Sequence, residues 1–164
     1  MIIEKIKDYT VIDLDDIKKQ LNFDLDYYDE DDYLDKLKQV AVDYCESYLG
    51  LDIVPTDNTL TIDDFKGDKL KVDAGILQEI TSIKLNGEEI TDFSTKIKYY
   101  SFIIEFKEQK EGQLDIAFKT GSDKIRPKYK QAILVKTSDL YDSERQSYNY
   151  NLKKNEIIKY LLIL

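Results

Sequence analysis

The sequence predicts an α+β fold, a helical bundle of about four helices with a small antiparallel β-sheet inserted over residues about 51–120. Three observations predict it. Residues 13–21 and 31–49 place apolar side chains at three- and four-residue steps. From Leu51 onward the texture changes to short runs rich in β-branched residues, separated by turn residues. After Pro127 the helical spacing returns. The 164 residues are the size of one ordinary domain, so a single domain over 1–164 is expected.

The first helix, 13–21, reads DLDDIKKQL. Asp13 suits an N-cap, acids follow in the first turn, lysines come later, and Leu14, Ile17 and Leu21 share a face. The second, 31–49, carries Leu34, Leu37, Ala41, Tyr44, Cys45 and Tyr48 on its stripe, with Gly50 where a left-handed residue ends a helix. The strand runs are TLTI, KLKV, ITSIKL, KIKYY, SFIIEF and QLDIAF. Asn86-Gly87 predicts a two-residue hairpin turn, because both central positions of that turn need positive φ. A second hairpin is expected across KEQKEG, joining residues 102–106 to 113–118. Pro127 opens a helix over 127–148, with Tyr129, Ala132, Ile133, Thr137, Leu140 and Tyr141 on one stripe. A last short helix, 155–163, is expected to be capped by Asn155 after the interruption SYNYNLKKN.

The chain contains no histidine, so the commonest general base and metal ligand is missing. Its single cysteine, Cys45, sits on an apolar stripe, where a thiol behaves as a small hydrophobe. Asp24 and Asp26 have the spacing of calcium ligands, but Tyr28 and Asp29 fill the next ligand and glycine positions of such a loop, and Asp35 stands where a glutamate is needed. No phosphate-binding glycine loop, zinc spacing or nucleophile elbow occurs. These readings predict no enzyme, no cofactor and no metal. The N-terminus lacks the pattern of a signal peptide, and no apolar run approaches a membrane span, so a cytoplasm-like, reducing setting and no membrane partner are expected.

Charge and the C-terminus carry the positive signals. Net charge is −9, with 29 acids and 15 bases in residues 1–123 but 4 acids and 9 bases in 124–164. An acidic body repels phosphates, and a basic tail suits an acidic partner. The chain finishes IIKYLLIL, seven apolar residues of eight, which must be buried by its own core or by a neighbour. Thirteen tyrosines and no tryptophan supply amphipathic rings suited to interfaces, although a coding bias toward Lys, Asp, Ile, Asn and Tyr gives the same excess.

Three segments resemble the head-tail connector (head-completion or adaptor) proteins of tailed bacteriophages. VIDLDDIKKQLNFD is similar to that family's opening strand-helix signature. DEDDYLDKLKQVAVDYCESYLG resembles its acidic entry and long helix ending in Tyr-Leu-Gly. IAFKTGSDKIRPKYKQAILVKTSDLYDSERQSY resembles its closing strand, glycine turn, proline and following helix. Together they cover about 70 of 164 residues. Lys136 departs from a usually apolar position, Arg126 and Lys128 make the proline turn more basic, and the middle is long.

The resemblance implies a structural protein without catalysis, assembled in the host bacterial cytoplasm and resident in the virion at the head-tail junction. It implies a homo-oligomeric ring, usually of twelve copies, docked on the portal protein, joined to further connector or tail proteins, and passing DNA without specific binding. The portal-docking residues would be Lys153, Lys154, Ile157, Ile158, Tyr160, Leu161, Leu162, Ile163 and Leu164, and the channel or ring surface Asp29, Glu30, Asp31 and Asp32. The alternative reading is a free acidic regulator, a nucleic-acid mimic that binds a basic partner through the acidic cluster at residues 24–35.

Overall fold

A computed structural model describes residues 2–141 and 148–163, with side chains for 3–141 and 155–163. Contacts divide the chain into two compact units, one of residues 1–8 and 50–123, the other of 9–49 and 124–164.

The first unit is a six-stranded antiparallel sheet. Its strands are β1 (Ile2–Lys7), β2 (Thr56–Asp73), β3 (Leu77–Leu85), β4 (Glu88–Glu89), β5 (Phe93–Lys98) and β6 (Ser101–Thr120). β6 is the spine. Along one edge it pairs with β2, and along the other with β5 near its start and β3 near its end. β1 flanks β2, in the register Ile3↔Leu60 and Lys5↔Asn58. The sheet is therefore not confined to 51–120. β1 escapes a periodicity argument because Ile3, Glu4, Lys5 and Ile6 are all exposed, so an edge strand with no buried face shows no alternation.

The hairpin expected at KEQKEG does not form. Lys110, Glu111 and Gly112 stay in the strand and pair with Gly67, Lys66 and Phe65. Gly112, at φ +134°, is the one residue of KEQKEG with positive φ, and it marks a bend within the strand instead of a chain reversal. The ladder bends instead. Register shifts fall between Ile62 and Phe65 and between Gly67 and Lys69, as expected where bulges increase strand curvature. The Phe102 and Phe118 rings, sixteen residues apart on one strand, meet edge to face with centroids 5.1 Å apart. A straight strand would separate them by roughly 50 Å. The two halves of the sheet therefore face each other and bury Phe102, Ile104 and Phe106 together with Leu114, Ile116 and Phe118.

Asn86-Gly87 forms the expected turn, with φ +51° and +84°, and pairs Leu85 with Glu88. Asn86 also braces the bend: its Oδ1 accepts from Gln113 N–H at 2.9 Å, and its own N–H donates to the Gln113 carbonyl at 2.8 Å.

In the second unit, α1 (Leu14–Leu21) and α2 (Asp31–Leu49) begin and end where expected, apart from the cap residue itself. Asp13 caps α1 by accepting from Asp15 N–H at 3.0 Å, and Gly50 takes φ +69° after α2. The buried face of α2 is Leu34, Lys38, Ala41, Val42, Cys45 and Glu46, rotated from the predicted stripe so that Tyr48 is exposed. α3 (Pro127–Tyr141) is shorter than expected, since 142–147 lie outside the described residues. α4 (Tyr148–Ile163) begins seven residues earlier than predicted, with Asn155 inside it instead of at its cap. The run YNYNLKKN is a poor intrinsic helix former, and packing of the turns that follow outweighs that preference. α3 packs against α1, α2 and α4.

Two glycines with nearly the same φ test the closure of the sheet unit. Gly121 has φ +82°, and a Cβ there would run into the Val54 carbonyl oxygen. Gly87 has φ +84° with nothing within 4 Å. Chemical denaturation should show Gly87→Ala costing about 1 kcal/mol from backbone strain alone. Gly121→Ala should cost about 2–4 kcal/mol because a clash with rigid backbone is added.

Candidate interaction surfaces

The C-terminal helix divides its apolar residues between two faces. Ile158 and Leu162, one turn apart, are buried, with exposures of 0% and 2%. Ile157, Tyr160 and Ile163 stand out in solvent at 51%, 64% and 71%. Leu161 is half-buried. Of the residues expected to dock on a partner, Ile158 and Leu162 are covered by the chain's own helices. Lys153 and Lys154 belong to α4, but their side chains, like the whole of Leu164, lie outside the described residues.

Beneath α4 lies a residue whose role sequence reasoning did not find. Lys136 of α3 is buried, and its Nζ donates to Asp139 Oδ2 at 2.9 Å and to Asn155 Oδ1 of α4 at 3.4 Å. It also sits 4.4 Å from the centroid of the Tyr44 ring of α2. One cation thus ties three helices, satisfied by a carboxylate, an amide and an aromatic face. A lysine within an apolar stretch of helix was the only signal in the sequence. Cys45 is fully buried, and burial pushes its thiol up to about 12 against the partly opposing pull of Lys136. A thiol in that state is neutral and unreactive near neutral pH.

The second surface is the acidic connector between α1 and α2. Asp29 and Asp32 are exposed, while Glu30 and Asp31 are half-buried. Asp31 pairs with Nζ of the buried Lys18 at 2.8 Å, and Lys18 also lies 4.5 Å from the centroid of the Tyr28 ring. Asp31 and Asp32 occupy the first turn of α2, where carboxylates favour the helix dipole. Asp24 closes the turn by accepting from Asp26 N–H at 3.3 Å. Phe23 makes edge contacts with Tyr27 and Tyr141, at 5.7 and 5.5 Å, and Tyr33 leans on Tyr141 at 6.1 Å. These contacts hold Tyr27, Tyr28 and Tyr33 on the surface, at 38%, 66% and 48% exposure. Partial desolvation, then the carboxylates of Glu30 and Asp29, hold the Tyr27 phenol above its usual range. A hydrogen bond from Lys38 holds Asp35 below its own.

Among the described residues no group of three or more Cys, Asp or Glu side chains is arranged to hold a metal ion, and no helix is long and apolar enough to cross a membrane. An open cleft of about 370 Å³ in the sheet unit has a rim of both signs, with Lys7 and Lys119 beside Asp8, Asp57 and Asp123.

The α+β fold, with its six-stranded antiparallel sheet and four α-helices among the described residues, has counterparts among solved structures. No protein-family model matches the chain, and no curated protein sequence matches it. Solved structures do. A chain in the neck of an empty gene transfer agent particle, computed with C6 symmetry, superposes with a TM-score of 0.77 at 15% identity, over 90% of this chain and 87% of that one. A chain in the virion of the native gene transfer agent particle gives 0.76 at 14% identity, over 98% and 95%. A chain in the native neck, computed with C12 symmetry, gives 0.74 at 13% identity, over 98% and 94%. At these identities it is the fold that is shared, and it agrees with the connector resemblance read from the sequence.

Paired substitutions separate the faces of α4. Ile158→Ala should lower unfolding free energy by about 2–5 kcal/mol, as a cavity in a packed site does. Ile157→Ala, one residue away, should change it by about 0.5 kcal/mol or less. Cys45 gives a second measurement, by alkylation. Its folded pKa is raised, so its contribution to stability is present below the usual thiol value and is lost as pH climbs from about 9 toward 12. The native chain should resist iodoacetamide at pH near 8 and label only with global unfolding, and its denaturation midpoint should fall above pH 9.

Proposed function

We propose that this chain is a structural subunit of the head-tail connector of a tailed phage or phage-like particle. The observation that carries the reading is the likeness to chains of gene transfer agent necks over nearly the whole of both chains. In this reading both units act as one connector subunit, and the four helices form the bundle that presents the C-terminal helix. The subunits form a homo-oligomeric ring of twelve copies in the virion, consistent with the C6 and C12 symmetries of those necks. The ring docks on the portal, meets further connector or tail proteins, and encloses a channel through which DNA passes without specific binding. Its part is mechanical, with no reaction catalysed.

Docking falls to the outer face of α4, that is Ile157, Tyr160 and Ile163, together with Lys153, Lys154 and Leu164, which the connector resemblance adds. Apolar burial supplies most of the affinity and the basic residues assist encounter with an acidic portal surface. Asp29 and Asp32, with Glu30 and Asp31 behind them, serve the channel or the ring surface. Acids there keep phosphates from being held, since each Lys or Arg contact to DNA adds affinity.

The test uses residues the fold does not need. Ile157→Ser, Tyr160→Ser and Ile163→Ser combined should leave the unfolding transition within about 1.5 kcal/mol of the parent, yet abolish co-sedimentation with portal-containing capsids. Normal co-sedimentation of this variant would show that α4 is not the docking element.

A further inference from the structure

The sheet unit ends in a hairpin tip that is built against local preference. Its two turns of the two-residue kind make the comparison. At β3–β4 the chain uses Asn86-Gly87, the residues that positive φ favours. At β5–β6, where Lys98 pairs with Ser101, the loop is Tyr99-Tyr100, and Tyr99 holds φ +39°, a left-handed conformation rare for a bulky side chain. The turn is pinned from both sides: Ser101 Oγ donates to the Lys98 carbonyl at 3.3 Å, and Gly75 N–H donates to the Tyr100 carbonyl at 3.0 Å. The outcome is a hydrogen-bonded tip with Tyr99 88% and Ile97 60% exposed. Lys98 between them is exposed and forms no ion pair among the described residues. A strained backbone that holds an isoleucine, a tyrosine ring and an unpaired cation in water points to a surface meant to be covered.

The α1–α2 connector has the opposite character. From Asp24 to Asp35 it carries seven acids and no base. Tyr28 and Tyr33 stand exposed beside Asp29 and Asp32, and neither of those acids forms an ion pair among the described residues. Tyrosine rings rimmed by unpaired carboxylates fit an apolar tip carrying a lysine, through ring contact, cation–π attraction and charge pairing. The same surface cannot meet itself, because like charges would then face each other.

Building on the connector reading, we propose that the tip formed by Ile97, Lys98 and Tyr99 of one copy of this chain docks on the acidic face around Tyr28 and Tyr33 of the next copy, as the head-to-tail contact that joins neighbours in the ring. A contact between two different surfaces of identical chains is heterologous, and heterologous contacts generate rings when the rotation closes. Each copy carries one tip and one acidic face, so a closed ring leaves neither exposed.

Cysteine pairing in the full chain tests this. Asp32→Cys and Lys98→Cys combined in one chain should give, after mild oxidation of the assembled protein, a ladder of disulfide-linked multimers on a non-reducing gel. The two single variants mixed should give only the mixed dimer, and either one alone should give none. Cys45 stays silent because it is buried. A ladder missing from the double variant, or a dimer of Asp32→Cys alone, overturns the contact. Charge exchange gives an independent reading by light scattering: Lys98→Glu should weaken assembly roughly tenfold or more, and adding Asp32→Lys in the same chain should restore it, because every interface then regains an opposite pair. Unchanged assembly of Lys98→Glu overturns the contact while leaving the ring and its capsid attachment standing. A parent chain that never assembles, even on capsids, overturns both.

Discussion

The carboxylate of Asp52 is the interaction on which the sheet unit depends. Its side chain is almost wholly out of water, at 1% exposure, and an isolated charge there would be prohibitive. Lys5 Nζ donates to Oδ1 at 2.6 Å, Thr120 Oγ1 donates to Oδ2 at 2.5 Å, and Asn58 Nδ2 reaches both Thr120 Oγ1, at 2.7 Å, and Oδ2, at 3.4 Å. Those partners come from β1, from the end of β6 and from the start of β2. The backbone of Asp52 meanwhile bridges to Gly75, just beyond the end of β2. Both ends of the bent ladder are therefore brought to one buried charge, and the first strand is held to the sheet by the cation it supplies.

The helical unit follows the same rule with the signs reversed. Lys18, Lys38 and Lys136 are all buried, and each is matched by a carboxylate: Asp31, Asp35 and Asp139 respectively. Lys38–Asp35 and Lys136–Asp139 lie within one helix and neutralise the buried cation there, while Lys18–Asp31 spans two, and removing a partner from any of them costs far more than the pair contributes to stability. Lys136 joins α3 to α2 and α4, and Lys18 joins α1 to the start of α2. The acidic connector thus has a structural duty at Asp31 and a free surface at Asp29 and Asp32. The separation matters for function, because only charges not already committed to the fold are available to a neighbour.

A comparable division governs α4. Ile158 and Leu162 fasten the helix to its own unit, while Ile157, Tyr160 and Ile163 remain outside. The helix is consequently part of the fold along one face and exposed along the other.

The sequence by itself determined the α+β class, the ends of α2, the Asn86-Gly87 turn and the burial of Cys45, because each follows from periodicity or from a residue's local backbone preference. It also carried the connector resemblance with which the fold agrees. Tertiary structure alone decided the rest. β1 exists because β2 offers it a partner and Asp52 a charge, neither of which lies nearby in sequence. KEQKEG bends within a strand because Lys110, Glu111 and Gly112 find partners in β2, and because Phe102 finds Phe118 across the fold. Asn155 sits within a helix because Ile158 and Leu162 have a surface to pack on. Local pattern specifies an element when its cause lies within a few residues; where the cause is a partner supplied by a distant part of the chain, only the folded molecule reveals it.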